Sequence, residues 1–540
     1  MKIIYIYFKK AISKFTKSFL LTILWAMILT FIYTSSPIFI RQLLREVEIQ
    51  SSYTVLIYGT LIYIFLLLVN NIIDIFWYRS IDKFAGLFIK DEMKLLERKV
   101  YLLYGNQLDE FSRPRISHIL YQNLFDMFRV IGHNLASMLT SSLLVLVSMI
   151  LVYSFDRKLF LILLLGLLAG LTISFYSRRV IQKSSMEINN KMRKLHSLAN
   201  DFSSRPEQIW RRKLISYYAE KTDDTVDEFI NTAKVTDSKQ VFFSNLVSHV
   251  NAVFILAVSA YFAIEYKGNL ASLVYIITLA NIISQHSSKA EILLNQIMRS
   301  YSAFKNIYEL EQIEDKEQYQ NKHDVSEPGS SVNTIELRNL TFTYHGLEHN
   351  ILDGLNFRCK SGDCIKVHAA NGKGKSTLFK LLENIYSLDR GMYFINGIDS
   401  KDLSPKYFQK EFRYIGQDNS FINDKVWVYL CATLGIKDKN TLEIELKKRN
   451  LDKLIDLDLE MKELGSSLSF GQRKKLDLIL LALSYHNSSV FLFDEVEAGL
   501  DKNGQEIFLN IVKEMRDRNK IIFFINHEES LLDNNLTIEF

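Results

Sequence analysis

The sequence predicts a two-part chain: a membrane α-helical bundle fused to an α/β nucleotide-binding domain of the P-loop type. Three observations carry the prediction. The first 300 or so residues hold six long apolar runs, most near the ~20 residues that a bilayer core demands. A polar stretch at 311–333 then separates them from a mixed remainder. That remainder contains Ala369-Ala370-Asn371-Gly372-Lys373-Gly374-Lys375-Ser376-Thr377, between an apolar run (Cys364, Ile365, Val367) and a helical pattern (Leu378, Leu381, Leu382, Ile385). This is the strand–loop–helix setting of a phosphate-binding loop. On this reading 1–310 is the transmembrane domain, 311–333 the linker and 334–540 the nucleotide-binding domain.

The six runs lie at 18–40, 54–78, 131–154, 159–177, 245–265 and 270–289. Only Ser154-Phe155-Asp156-Arg157-Lys158 separates the third from the fourth, and little more than Tyr266-Lys267-Gly268-Asn269 the fifth from the sixth. Both pairs read as tight hairpins. The segments 79–130 and 178–244 are long, polar and rich in Lys and Arg. Positive charge marks the cytoplasmic side, so both long segments and both termini are expected inside, and the stretch 41–53 outside. The first run lacks a small-residue cleavage site and reads as an anchor that stays. The net charge of +5 therefore reflects membrane topology, and no nucleic-acid partner is expected. The three cysteines have no metal-ligand spacing and suggest no disulfide framework.

Each long segment has one break, Phe111-Ser112-Arg113-Pro114-Arg115 and Phe202-Ser203-Ser204-Arg205-Pro206. Serine followed by proline signals a helix start. Each break is either a short crossing helix, placed to touch a soluble domain, or a simple kink. Polar residues punctuate the apolar runs: Asn70, Asn71, Asp74, His133, Asn134, His249, Asn251, Asn281, Gln285 and His286. Such residues usually face a bundle interior or a watery cavity. They fit a partly polar translocation cavity or plain interhelical hydrogen bonding.

In the soluble part, Ile335 to Tyr344 alternates as a half-buried strand. In the phosphate loop, glycines let backbone N–H groups curl around phosphate oxygens. Lys375 would reach the β- and γ-phosphates, and Ser376 would ligate Mg²⁺. The first glycine of the motif is replaced by Ala369. Four further motifs follow in order. Phe412 to Gln417 is a strand ending in glutamine, and Leu468-Ser469-Phe470-Gly471-Gln472 opens a helix. Val490 to Glu495 is an apolar strand ending in two acids, followed by Ala498-Gly499-Leu500-Asp501, and Ile521 to His527 is a strand ending in histidine.

In this ordered set the chain resembles the ATP-binding-cassette (ABC) transporters, motif by motif in its soluble half and by topology in its membrane half. The resemblance implies the type I ABC exporter fold, ATP and Mg²⁺ as ligands, and ATP hydrolysis coupled to transport. It implies that Tyr344 stacks on adenine and that the loop Asn371, Gly372, Lys373, Gly374, Lys375, Ser376 and Thr377 holds the phosphates. Gln417 would sense Mg²⁺ and the γ-phosphate. Asp494 would hold Mg²⁺ through water, with Ser376 and Gln417 as the other metal-site residues. Glu495 would polarise the attacking water, and His527 would contact the γ-phosphate. Ser469, Gly471 and Gln472 form the signature that completes the site of a second cassette, so one cassette implies a dimer, expected to be a homodimer.

Phe470 stands where the family usually has glycine, and Gly499 departs in the Ala498–Asp501 loop. The stretch Leu468 to Lys475 is similar to the branch exporting cyclic or modified, microcin-type peptides. The expectation is therefore a multi-pass protein of the cytoplasmic (inner) membrane of a bacterium, exporting a small, modified or antimicrobial peptide. No peptidase domain precedes the first span, so it would not cut a leader itself. A lipid or multidrug exporter, a siderophore-type importer built on the exporter fold, and a non-transporting regulator are the alternatives.

Overall fold

The computed structural model describes residues 2–50, 53–111, 113–266, 269–315, 331–370, 372–416, 421–462, 467–497, 500–525 and 532–540. Packing divides the chain into two compact units, Met1–Arg98 with Pro114–Ile313, and Lys99–Arg113 with Glu314–Phe540.

The first unit is helical: α1 (Lys2–Lys14), α2 (Thr16–Gln50), α3 (Tyr53–Leu102, ending in the second unit), then, beyond α4 (Gly105–Phe111), α5 (Arg113–His118) and α6 (Leu124–Arg129). It continues with α7 (Leu135–Phe155), α8 (Arg157–Ser204), α9 (Pro206–Arg211), α10 (Ile215–Glu265), α11 (Leu270–Arg299) and α12 (Tyr301–Gln312). Six helical stretches among the described residues are long and apolar enough to cross a membrane: Thr16–Ile49, Tyr53–Leu102, Arg115–Phe155, Arg157–Ser177, Ile215–Glu265 and Leu270–Gln312. Phe31, Phe65, Leu161 and Leu256 stay exposed on these stretches, as lipid-facing side chains do when the solvent is hydrocarbon. Val152, Leu159, Val258, Ile276 and Leu279 form part of the bundle core.

The helices run far past the bilayer. α3 has 50 residues, about 75 Å at 1.5 Å per residue, against a hydrocarbon core of about 30 Å. At the other end α2 continues through Arg41–Gln50, so the stretch expected as an outer loop at 41–53 is mostly helix. No glycine or proline interrupts it, and Arg, Leu, Gln and Glu sustain a helix well. The hairpin after α7 turns on Asp156, whose carboxylate accepts the backbone N–H groups of Lys158 (2.6 Å) and Leu159 (3.3 Å). Tyr266, at the end of α10, donates to the same carboxylate at 2.5 Å. One side chain thus caps a helix and ties the α7–α8 turn to the end of α10.

α9 starts with Pro206 in its first turn, as the Ser-Pro signal predicts. At the first break a helix likewise starts at Arg113, with Pro114 in its first turn, and a further short helix, α4, precedes it. Two π-helical stretches, Ile119–Asn123 and Val130–Asn134, flank α6 without a sequence signal. The polar residues of the spans mostly pair between or along helices. Asn251 donates to Ser288 Oγ at 3.2 Å, and His286 lies 3.5 Å from Ser141 Oγ and edge-on to Tyr33. His133 stacks on Tyr78, and His249 bonds the Asn245 carbonyl of its own helix.

The second unit carries two sheets. One is antiparallel, in the order β2 (Leu352–Lys360), β1 (Thr334–Phe342), β4 (Tyr393–Ile395), β5 (Ile398–Asp399). The other is parallel, in the order β6 (Phe412–Ile415), β7 (Val490–Asp494), β8 (Ile521–Ile525), β3 (Cys364–His368), β9 (Leu536–Glu539). Every residue of β7 and β8 is buried, which explains their unbroken apolar runs, since a parallel sheet is covered on both faces. Helix α13 (Lys375–Leu382) follows β3 and buries Leu378, Phe379, Leu381 and Leu382.

Candidate nucleotide site

The phosphate loop joins β3 to α13. Gly372 (φ +79°) and Gly374 (φ +97°) adopt left-handed backbone, which glycine enters without strain. A Cβ at Gly374 would sit 2.8 Å from Ile351 Cγ2 and 3.2 Å from the Ile351 carbonyl. Lys375 donates to the Ala369 carbonyl at 3.1 Å, so the residue that replaces glycine supplies a backbone acceptor to the loop lysine. Lys373 N–H closes a turn onto the Ala370 carbonyl.

The first turn of α13 reaches two other elements. Ser376 Oγ donates to Asp494 Oδ2 at 3.0 Å. Thr377 Oγ1 lies 3.0 Å from the Tyr344 hydroxyl. The Tyr344 ring is held edge-on by Phe342 (centroids 5.1 Å apart) and Tyr386 (5.2 Å). Tyr344, Lys375, Ser376, Thr377 and Asp494 are thereby joined around one helix N-terminus, where backbone N–H groups and the helix dipole favour an anion.

Asp494 ends β7 and also accepts from the Tyr414 hydroxyl at 3.3 Å. A Cβ at Gly416 would lie 1.9 Å from that hydroxyl, so glycine there lets Tyr414 fold back. Glu495 follows with φ +54°. Left-handed backbone costs a residue with a Cβ roughly 1–2 kcal/mol. Its N–H donates to the Ile525 carbonyl, and its own carbonyl accepts from Lys474 Nζ at 3.3 Å. Burial holds the Lys474 ammonium below the usual lysine range, against the attraction of Asp477, Asp494 and Glu495. Tyr414 and Lys474 are the contributors that the motif reading missed. Tyr414 stands three residues before Gln417 and Lys474 two after Gln472, inside motifs read for other letters.

Ser469 is the N-cap of the helix Phe470–Ser484 in a full capping box: Gln472 N–H donates to Ser469 Oγ at 3.2 Å, and Ser469 N–H donates to Gln472 Oε1 at 2.8 Å. Phe470 is 47% exposed. Lys475 pairs with Asp501 at 3.2 Å, and Asp501 caps the following helix through Gly504 N–H. Ser469, Gly471, Gln472, Lys475 and Asp501 line a cavity of about 520 Å³. Asn371, Gln417, Ala498, Gly499 and His527 lie outside the described residues. The donors for a metal fit a hard cation. A hydroxyl and a carboxylate meet 3.0 Å apart, an all-oxygen pair of the kind that holds Mg²⁺ together with substrate phosphates.

The chain is similar to the following known proteins. Residues 352–498 match the family model described as "ABC transporter". The energy-coupling factor transporter ATP-binding protein EcfA1 of Mycoplasmopsis synoviae is 29% identical over 201 residues, 36% of this chain and 74% of that protein. An ATP-dependent lipid A-core flippase of Aromatoleum aromaticum is 27% identical over 258 residues, covering 46% of this chain and 42% of the flippase. The uncharacterized ABC transporter ATP-binding protein YwjA of Bacillus subtilis is 22% identical over 64% of this chain and 62% of its own length. The chain thus spans less than two thirds of the length of the last two. A solved bacterial Atm1-family ABC exporter with ATP bound superposes with a TM-score of 0.81 over 96% of this chain and 93% of that one, at 14% identity. The second unit carries an ABC-transporter ATP-binding domain, an ATP hydrolase by class, and the whole chain has the ABC exporter fold.

Proposed function

We propose that this protein is a half-transporter that uses ATP hydrolysis to export an amphiphile across the cytoplasmic membrane, two copies forming the working unit. The observation that carries the substrate class is a cavity of about 720 Å³ between α7, α8, α10 and α11. Its polar lining residues, Ser142, Ser174, Asn251, Ser287 and Glu291, come from helix levels remote from the outer turns. Near those turns Tyr153, Phe160 and Leu164 line it. Positive charge puts the remote levels on the cytoplasmic side, so the cavity suits a molecule with its polar head inward and its apolar part outward. A phospholipid-like amphiphile fits this lining best. The relatives named as lipid A-core flippases support it. Export of a modified peptide is the second reading, favoured by the stretch Leu468 to Lys475.

In the site, Lys375 and the loop N–H groups of Gly372 and Gly374, with Asn371, hold the phosphates, while the Lys373 N–H keeps the turn closed on the Ala370 carbonyl. Tyr344 stacks on adenine, its ring fixed by Phe342, Tyr386 and Thr377. Ser376 and Asp494, with Gln417, would hold Mg²⁺, and the cation would supply charge neutralisation at the phosphates. Glu495 orients and deprotonates the attacking water, and His527 contacts the γ-phosphate. Ser469, Gly471 and Gln472 face the nucleotide of the second copy. The capping box keeps Ser469 at a helix N-terminus, where its N–H groups meet an anion.

The test is transport by the full chain in proteoliposomes. A fluorescent phosphatidylethanolamine and a fluorescent amphipathic peptide are compared, with and without ATP. ATP-dependent movement of the lipid alone supports the first reading. Movement of the peptide alone replaces it with the second, and ATP-independent movement of both removes the exporter reading.

A further inference from the structure

The strip Lys99–Arg113 follows the membrane-spanning part of α3 in sequence, yet it packs as part of the ATP-binding unit. Four contacts fasten it there. Lys99 pairs with Asp315 at 3.0 Å, both almost fully buried. Gln107 Nε2 donates to the Glu314 carbonyl at 2.9 Å. Gly105 N–H donates to the Ile385 carbonyl at 2.7 Å. The Tyr386 hydroxyl donates to Asp109 Oδ2 at 2.9 Å. A Cβ on Gly105 would fall 2.6 Å from the Tyr386 ring, so glycine is what lets α4 close on that ring.

Tyr386 faces two ways. Its hydroxyl holds α4, and its ring packs edge-on against Tyr344 and Phe342 at 5.2 and 5.4 Å. Tyr344 in turn reaches Thr377 of the phosphate-loop helix. Hence one side chain stands between the ring assigned to adenine and the strip that continues into a membrane helix. We propose that Tyr386 is a positioning residue that makes adenine-site occupancy and the placement of α4 a single event, through its hydrogen bond to Asp109. The inference deepens the exporter reading and rests on it. Occupancy that fixes Tyr344 fixes the Tyr386 ring, which aims the hydroxyl at Asp109. With a charged acceptor, losing that bond shifts the linked equilibrium by about tenfold or more. By linkage, the apparent ATP affinity falls by the same factor.

The experiment uses the full chain in nanodiscs, in a Glu495→Gln background. Spin labels at Lys158→Cys, one per copy, report the distance between outer turns by pulsed electron resonance while ATP is titrated. Tyr386→Phe removes the donor and Asp109→Leu the acceptor, each at close to the parent side chain's size. Each is expected to lower the ATP-driven change in conformer ratio about tenfold, and the double variant is expected to lower it no further. Melting temperatures within a few degrees of the parent separate this from a packing role. A full ATP-driven change in either single variant, or additive losses in the double, overturns the proposal. A parent that binds ATP but shows no distance change overturns the exporter reading itself, and the proposal with it.

Discussion

Lys99 and Asp315 offer a sharp test of how the strip Lys99–Arg113 is held. Their side chains are 5% and 7% exposed, and their charged atoms lie 3.0 Å apart. Lys99→Met keeps most of the stem and deletes the charge. Asp315 then loses the ammonium 3.0 Å away, and breaking a buried pair from one side costs about 3–5 kcal/mol. For a folded unit of this size each kcal/mol shifts the midpoint by roughly 2–4 °C, so the expected drop is about 6–20 °C. Replacing both partners, as Lys99→Met with Asp315→Leu, removes two desolvation penalties as well as the attraction. Such exchanges are often neutral or stabilising, so the double variant is expected to regain most of the loss. The assay is thermal unfolding of the purified full chain by intrinsic fluorescence, at one detergent and salt concentration. A single variant that melts within about 2 °C of wild type, or a double variant no better than the single, would refute the assignment of this pair as a buried clamp.

Three further outcomes follow from local geometry. Ser469→Ala removes the capping box and should cost about 0.5–2 kcal/mol, while Ser469→Asp restores the cap but faces the phosphates with a negative charge. Melting should recover in the Asp variant and ATP hydrolysis should not. Gly374→Ala places a methyl 2.8 Å from Ile351 Cγ2 on backbone at φ +97°. The combined clash and strain should cost about 2–4 kcal/mol and weaken ATP binding at least tenfold, measured by titration of a fluorescent ATP analogue. Burial, with Asp363 adding to it, pushes the Cys359 thiol up to about 12. Since the folded form holds its proton more tightly than the unfolded chain, this contribution to stability is complete below pH ~9 and is lost as pH rises from there through 12. Iodoacetamide at pH 8 should accordingly leave Cys359 unmodified in the native protein and alkylate it in urea, as read by peptide mass.

What the sequence made legible is what lies close together along the chain. The phosphate loop, the acids ending β7 and the apolar run of β8 are each under ten residues long, and each carries its own pattern. Six apolar stretches were equally plain, because a bilayer fixes their length. The clamp of Lys99 onto Asp315 spans more than 200 residues, and Tyr386 meets Asp109 across 277. No period or motif encodes such a pairing. Gly105 carried a signal of a kind, a glycine within a helical pattern, but its purpose needs the Tyr386 ring. Ser469 and Gln472 are a case of double duty. Their spacing is that of a capping box, and the same two residues stand in the stretch expected to complete a second cassette's site. The polar residues of the spans were visible, but not their direction. Asn251 turns to Ser288 and His286 toward Ser141, so interhelical bonding absorbs much of the polarity that a solute cavity could have claimed.

Glu495, at the end of β7 and held in left-handed backbone, is proposed to activate water against ATP. The direct measurement is ATP hydrolysis by the full chain in lipid nanodiscs, wild type against Glu495→Gln, alongside ATP affinity by titration. A positioned general base contributes about 10²–10⁴-fold. The expected result is hydrolysis in the wild type, a fall of at least about a hundredfold in the variant, and ATP affinity within about threefold of wild type. Equal hydrolysis in the two proteins would contradict it.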